Sequence, residues 1–314
     1  MSKASSASTL KAVPSKSVAF RGQAPTLAVA ALIYGGWLAL TFFHARIPLP
    51  VAILVGGWLA AWHGSLQHEV IHGHPTPWRR VNTALAIWPL ALWLPFALYR
   101  TSHLAHHATD HLTLPKLDPE SRYLSVETGV GAALRRAVEA VQAPLLGRML
   151  LGPVISVAGF LVGEARALAR GDALHWRAWA VHLGLVAVVL AWVVGVCRMN
   201  LVAYLLIFVY PGAALTLVRS FAEHRADAEP GHRIAVVENA PILGLLFLNN
   251  NLHALHHARP DLAWRRLPVV YRADRAQILQ ANGALVYDGY REVFARFLLR
   301  PHDQVTHPAL GVKR

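Results

Sequence analysis

Four stretches of this chain carry no Asp, Glu, Lys or Arg at all: residues 26–45, 49–66, 178–196 and 200–218. A helix rises 1.5 Å per residue, so about 20 such residues cross the ~30 Å hydrocarbon layer of a bilayer. Only a helix or a closed barrel can satisfy its backbone there, and uninterrupted apolar runs of this length select the helix. Composition agrees: 55% of the 314 residues are hydrophobic and 15% are charged. A soluble domain averages ~25% charged residues. A soluble enzyme and a disordered chain are both excluded.

Two weaker apolar stretches lie between these runs. Residues 81–99 contain Pro89 and Pro95. Proline removes a backbone donor and breaks a helix, so a re-entrant or interfacial hairpin is expected there. Residues 149–163 make only about four turns and precede Arg166 and Arg170, so an interfacial helix is expected. Residues 1–25 carry Lys3, Lys11, Lys16 and Arg21 with no acid. They read as a disordered cytosolic N-terminus, by the excess of basic residues on cytoplasmic loops. Two hairpins of spans then return residues 67–148 and 219–314 to that same face. The expected architecture is all-α and integral to the membrane. It has four transmembrane helices, re-entrant or interfacial helices, and a cytosolic helical cap; residues 271–314 form a C-terminal tail belonging to the cap. The net charge of +13 is spread between apolar runs, which fits cationic loops and not nucleic-acid binding. The single cysteine, Cys197, excludes disulfides and cysteine-ligated metal. Trp62, Trp78, Trp88 and Trp93 sit at the depth of an interfacial aromatic belt.

Histidine is the other anomaly. There are 18, against 17 acidic residues, and twelve fall in four places. The first segment, WHGSLQHEVIHGH, holds His63, His68, His72 and His74; the second, SHLAHHATDH, holds His103, His106, His107 and His111. His224 stands alone in RSFAEHR, and NNNLHALHHARPD holds His253, His256 and His257. Positions i, i+3 and i+4 share a helix face, so each HxxHH presents three imidazoles together. Neutral imidazole is the commonest protein ligand of transition metals. Eight or nine converging imidazoles exceed one metal's capacity: His68, His72, His103, His106, His107, His253, His256 and His257, with the lone His224 as the ninth if it joins them. Two metals with four or five ligands each are expected, and iron suits redox work with such ligands.

His68-Glu69-Val70-Ile71-His72 is also HExxH, the zinc-hydrolase signature, in which Glu69 would be the general base. That reading of a membrane-embedded zinc protease leaves both HxxHH clusters without a role. A metal-binding membrane protein without catalysis is a further alternative. Around the boxes, His74, His111, Asn250, Asp118 and Glu223 are candidates to orient ligands or a metal-bound water.

The three boxes in order, His68–His72, His103–His107 and His253–His257, resemble the membrane fatty acid desaturase and hydroxylase superfamily over residues 26–270. The segment Leu117-Asp118-Pro119-Glu120-Ser121 resembles its bacterial members. The resemblance implies a di-iron centre (two Fe2+), molecular oxygen as co-substrate, and desaturation or hydroxylation of an unactivated C–H bond. It implies His224 as an extra ligand, and a separate electron donor, a ferredoxin or cytochrome-type protein with its reductase. The expected substrate is a fatty acyl chain or lipid-like molecule, alternatively a small amino-acid-derived or other amphipathic metabolite. The expected location is the bacterial inner membrane, with the site on the cytoplasmic side. Glu69 would then help orient an imidazole or assist a nearby base.

Overall fold

The computed structural model describes residues 24–125 and 129–310. The basic segment 1–23 lies outside them, whereas Ala24 and Pro25 already belong to the first helix. The described chain is mainly helical, with almost no strand. Helices α1 (Ala24–Phe43) and α2 (Leu49–Ile71) form the first hairpin, with Pro48 and Pro50 fixing the start of α2. Short helices α3 (Arg79–Ala86), α4 (Phe96–Ala108) and α5 (Val130–Gln142) follow, then the long α6 (Leu145–Ala169). The second hairpin is α7 (Ala173–Leu190), extended by a π-helical turn to Val196, and the continuous run from α8 (Leu201–Tyr204) through a π-helical segment into α9 (Tyr210–Glu223). Its two N-termini are capped: Asp172 accepts from the backbone of Leu174 and His175, and Asn200 from Val202.

Among the described residues, five helices are long and apolar enough to cross a membrane: Ala24–Arg46, Leu49–Ile71, Leu145–Ala169, Ala173–Val196 and Leu201–Glu223. The sequence count of four is not confirmed, and the difference is α6. Where the sequence suggests about four turns, the helix has 25 residues. Arg148 and Glu164, which shorten the apolar window, are both turned inward and buried. The start of α6 is tied to the C-terminal segment, where Leu146 donates its N–H to Leu298 O (3.0 Å) and Pro144 bridges Pro301. Its end turns through three residues into α7. The far end of α7 packs on the far end of α1, where Trp192 Nε1 donates to Thr41 Oγ1 (3.0 Å).

Residues 87–95 enter the bundle without being helical. Leu90 O accepts from the buried Tyr204 hydroxyl (2.7 Å), and Leu92 O accepts from His182 Nε2 (2.9 Å). Side chains from the spans thus satisfy carbonyls of this non-helical stretch, as irregular backbone in an apolar bundle requires.

The helices that bear the first box and His224 pack closest. A Cβ on Gly212 of α9 would stand 2.5 Å from Ala60 Cβ, and one on Gly56 of α2 would stand 2.5 Å from Ile207 O. Only glycine permits this approach, the small-residue packing of membrane helices. Over the end of the bundle sits the cap. It contains α10 (Pro241–Leu246), α11 (His253–Ala258), α12 (Leu267–Ala281) and α13 (Gly289–Phe297). Strands β1 (Val236–Val237) and β2 (Val286–Tyr287) pair in parallel between them. Position 270 falls inside α12, so residues 271–310 continue the cap. Trp264 Nε1 donates to Thr26 Oγ1 (3.0 Å) and Trp62 Nε1 to Leu245 O (3.0 Å), stitching cap to bundle. Of the four tryptophans, Trp62 is buried in this way and Trp93 lines an internal cavity, while Trp78 is 60% exposed.

Candidate metal centre

Four pieces of chain bring the histidine boxes together. His68 occupies the last turn of α2 and His72 caps it; His103, His106 and His107 lie on α4; His224 caps α9; His253, His256 and His257 lie on α11. The nine imidazoles form two groups. His68, His72, His103, His107 and His256 make one, and His106, His224, His253 and His257 the other. Within each group the ligand atoms all lie within 4.8 Å of one another.

Helix geometry explains the division. A residue turns 100° about the axis, so i+4 lies about 40° to one side of i, and i+3 about 60° to the other. Each HxxHH therefore sends its first and last histidine to one group and its middle one to the other. On α4, His103 and His107 join the five-histidine group and His106 the four; on α11, His253 and His257 join the four and His256 the five. Each helix serves both groups with opposite bias.

Within the groups the Nε2 atoms face one another. His72 and His103 approach to 3.1 Å, His107 and His256 to 3.2 Å. His106 and His224 approach to 3.1 Å, His224 and His253 to 2.9 Å, His253 and His257 to 3.1 Å. Several Nδ1 atoms are committed elsewhere. His106 Nδ1–H donates to Asp118 Oδ1 (2.8 Å), His103 Nδ1–H to Glu120 Oε1 (3.0 Å), and His224 Nδ1–H to Arg233 O (3.2 Å). His253 Nδ1–H donates to Asn250 Oδ1 (3.3 Å). These acceptors hold the proton on Nδ1, so in the neutral rings each Nε2 presents a lone pair. Lone pairs facing each other at about 3 Å repel unless a cation lies between them. Metal–imidazole bonds of about 2.1 Å at right angles put neighbouring nitrogens about 3.0 Å apart. His68 Nε2 and His107 Nδ1 are also buried with no hydrogen-bond partner among the described residues. The donor set fits two bound transition metals.

Burial and the neighbouring imidazoles hold most of these rings neutral. His72 is pushed down to about 2 by burial and by His103 and His107, and His224 to about 3 by burial and by His106. His107 falls to about 3 for the same reasons, and His253, His256 and His257 fall well below the usual value. His106 goes the other way: burial opposes its charge, but the bond to Asp118 and the nearby Glu120 outweigh that and raise it. A consequence for the metal-free protein follows. The unfolded chain takes up protons at these histidines near pH 6.5 and the folded chain does not. Their contribution to stability is complete above ~6.5 and is lost as pH falls from there toward 2–3. Each such imidazole adds a slope of up to about 1.4 kcal/mol per pH unit. Thermal melts of metal-free protein in detergent should fall steeply between pH 6.5 and 5, and loading with metal should flatten the dependence; a melting temperature flat over that range would contradict it.

The residues flagged around the boxes divide. Asp118 is buried and central: besides His106 it accepts from Thr113 N (2.8 Å) and Glu120 N (2.9 Å). Glu223 stands 3.5 Å from His253 Nδ1 and accepts from Asn250 Nδ2 (2.7 Å), so both lie beside the four-histidine group. Glu69 is outside both groups. One residue on from His68, it points about 100° away, and its Oε1 accepts from Trp264 N (3.2 Å). His74 contacts Asp261 O (3.1 Å), and His63 contacts the Tyr34 hydroxyl (3.2 Å). His111 is exposed: α4 ends at Ala108, so the helical spacing from His103 does not continue to it.

Three neighbours were not singled out by the sequence reading. Glu120 holds His103, and His103, His106 and Arg219 overcome its burial to keep it near pKa 2. Arg219 lies 3.0 Å from Glu223 on the same helix face. Tyr99 bonds Arg219. The Arg219–Glu223 spacing of four was the one available signal. Tyr99, Glu120 and Arg219 stand where two cavities meet. The inner one, about 240 Å³ and mostly apolar, lies between α2, α6, α9 and residues 89–94. The outer one, about 720 Å³, runs from Glu223 and His224 past Leu217 and Phe160 to Arg148.

A bundle of membrane-length helices capped by two histidine groups, each able to hold a metal, defines a narrow class of protein. The family described as fatty acid desaturase matches residues 44–289, most of the chain and all three boxes, and the chain belongs to that family. No curated protein matches it.

Proposed function

We propose that the protein is an oxygen-dependent di-iron oxidoreductase that desaturates or hydroxylates an unactivated C–H bond of an acyl or lipid-like substrate. The observation that carries this reading is the pair of groups whose Nε2 lone pairs converge while their Nδ1 protons are held from behind. Bound iron supplies oxygen activation and the one-electron chemistry that such a bond demands. Asp118, Glu120, Asn250 and the Arg233 carbonyl fix ring tautomer and orientation. The mostly apolar inner cavity would hold a chain end, and the mixed outer cavity would lead the chain past Tyr99 and Glu120. The small inner chamber favours a short chain or an amphipathic metabolite over a long extended one. Electrons come from a separate ferredoxin or cytochrome-type protein, for which Arg79, Arg80 and Arg266 offer an exposed cationic face.

Metal analysis of detergent-purified protein tests this directly: two irons per chain are expected, and one zinc without iron would overturn it in favour of the HExxH hydrolase. The proposed setting is a bacterial inner membrane with the histidine centre facing the cytoplasm. If both ends of α6 lie on the cap side, an Arg170→Cys variant reacts with an impermeant thiol reagent only in inverted vesicles. Reaction in intact cells would mean that α6 crosses.

A further inference from the structure

Arg148 has no assigned role and an unusual setting. It sits near the start of α6, is 8% exposed, and lines the outer cavity at the end away from the histidines. Among the described residues its one hydrogen bond runs from Nε to Gln142 O (3.2 Å), and no carboxylate of those residues lies within ion-pair distance. Every other cation lining that cavity is paired, Arg122 with Asp303 and Arg219 with Glu223. A buried cation without a partner is costly and calls for a counter-charge. The acid facing it is Glu139, itself half-buried and, among the described residues, without an ion pair of its own. The same cavity is lined by apolar Ile155, Phe160 and Leu217 as well as polar Ser156 and Ser220, and it reaches the junction at Tyr99, Glu120 and Arg219. The inner chamber continues from there.

We infer that Arg148 is the receptor for an anionic headgroup, a carboxylate or phosphate, of an amphiphile whose chain runs along the outer cavity to the histidine centre and ends in the inner chamber. The inference rests on the proposed oxidoreductase reading for the identity of the site's substrate, but the binding itself needs neither iron nor turnover. A bidentate guanidinium–oxyanion pair in a water-poor cavity is a strong charge-assisted contact. It would set which carbon reaches the junction by measuring the chain from its charged end.

The test uses full-length protein in a neutral detergent and three probes of one chain length: decanoate, decyl phosphate and decanol. Quenching of tryptophan fluorescence reads binding, since Trp93 lines both cavities. Decanoate or decyl phosphate should bind at least about tenfold more tightly than decanol. Arg148→Gln should abolish that preference, and Arg148→Lys should keep part of it. Without ligand, Arg148→Gln should melt no lower than the wild type, because it removes a charge that lacks a partner, so lost binding will not reflect unfolding. Competition by phosphatidylglycerol in the micelle would identify a lipid headgroup as the natural anion, and its failure would identify a free acid or phosphate. Equal binding of decanol, no binding of either anion, or full anion preference in Arg148→Gln would each overturn the inference. None of these outcomes depends on metal content, so the oxidoreductase reading stands or falls separately.

Discussion

Replacing His106 by alanine should abolish turnover and halve the metal content. His106 is one of four imidazoles in its group, and its Nε2 lies 3.1 Å from His224 Nε2. Three ligands would remain, and the variant would leave Asp118 buried without the ring that it holds. The activity loss should exceed the 10–100-fold typical of removing an outer-shell partner. One bound iron in place of two is the expected stoichiometry, with the five-histidine group still loaded. Turnover at the wild-type level would remove the second box from the reaction; loss of both irons would mean that the two sites fill only together.

Asp118→Asn should have the next largest effect. The carboxylate accepts three hydrogen bonds, from His106 Nδ1, Thr113 N and Glu120 N. Those bonds keep its pKa below the usual carboxylate value although burial opposes this. An amide has one oxygen and one donor nitrogen in place of two accepting oxygens. With its oxygen in the Oδ1 position it keeps His106 and Glu120 N but leaves Thr113 N unmet; flipped, it keeps Thr113 N but turns its NH2 on both the ring and Glu120 N. If the NH2 faces His106, the ring proton moves to Nε2 and the ligand lone pair is lost. A 10–100-fold fall in iron affinity is expected, measured by chelator competition. Asp118→Ala should be worse, because both backbone donors are then orphaned; an Asn variant with wild-type affinity would show that Asp118 anchors the loop without acting through His106.

What the sequence disclosed depended on periodicity. The spans at residues 26–45, 49–66, 178–196 and 200–218 are legible because none contains a charge. The HxxHH spacing is legible because helix geometry acts on consecutive residues. The nine histidines singled out are the nine that the fold brings into two groups. The true length of α6 was hidden because Arg148 and Glu164 reduce its apolar window, yet both side chains turn inward. Glu120 was hidden because its partner, His103, lies 17 residues away across a loop with no repeating pattern. The pairing of Val236–Val237 with Val286–Tyr287 joins strands of two residues each, too short to alternate visibly. Tyr99 and Arg219 each look like the polar end of an apolar run; only the fold puts them side by side.

The division of each HxxHH between the two groups also fixes an order of assembly. Each group takes at least one member from residues 253–257, so neither is complete until that segment has left the ribosome. By then the earlier spans are synthesised and inserting, with His68, His72, His103 and His107 gathered but one ligand short. Under the metal reading, loading of the complete groups would be a late event of biogenesis, and the ion would clasp the cap onto a bundle already in the bilayer. A chain cut before residue 253 would keep His68, His72, His103 and His107 of the first group but only His106 and His224 of the second.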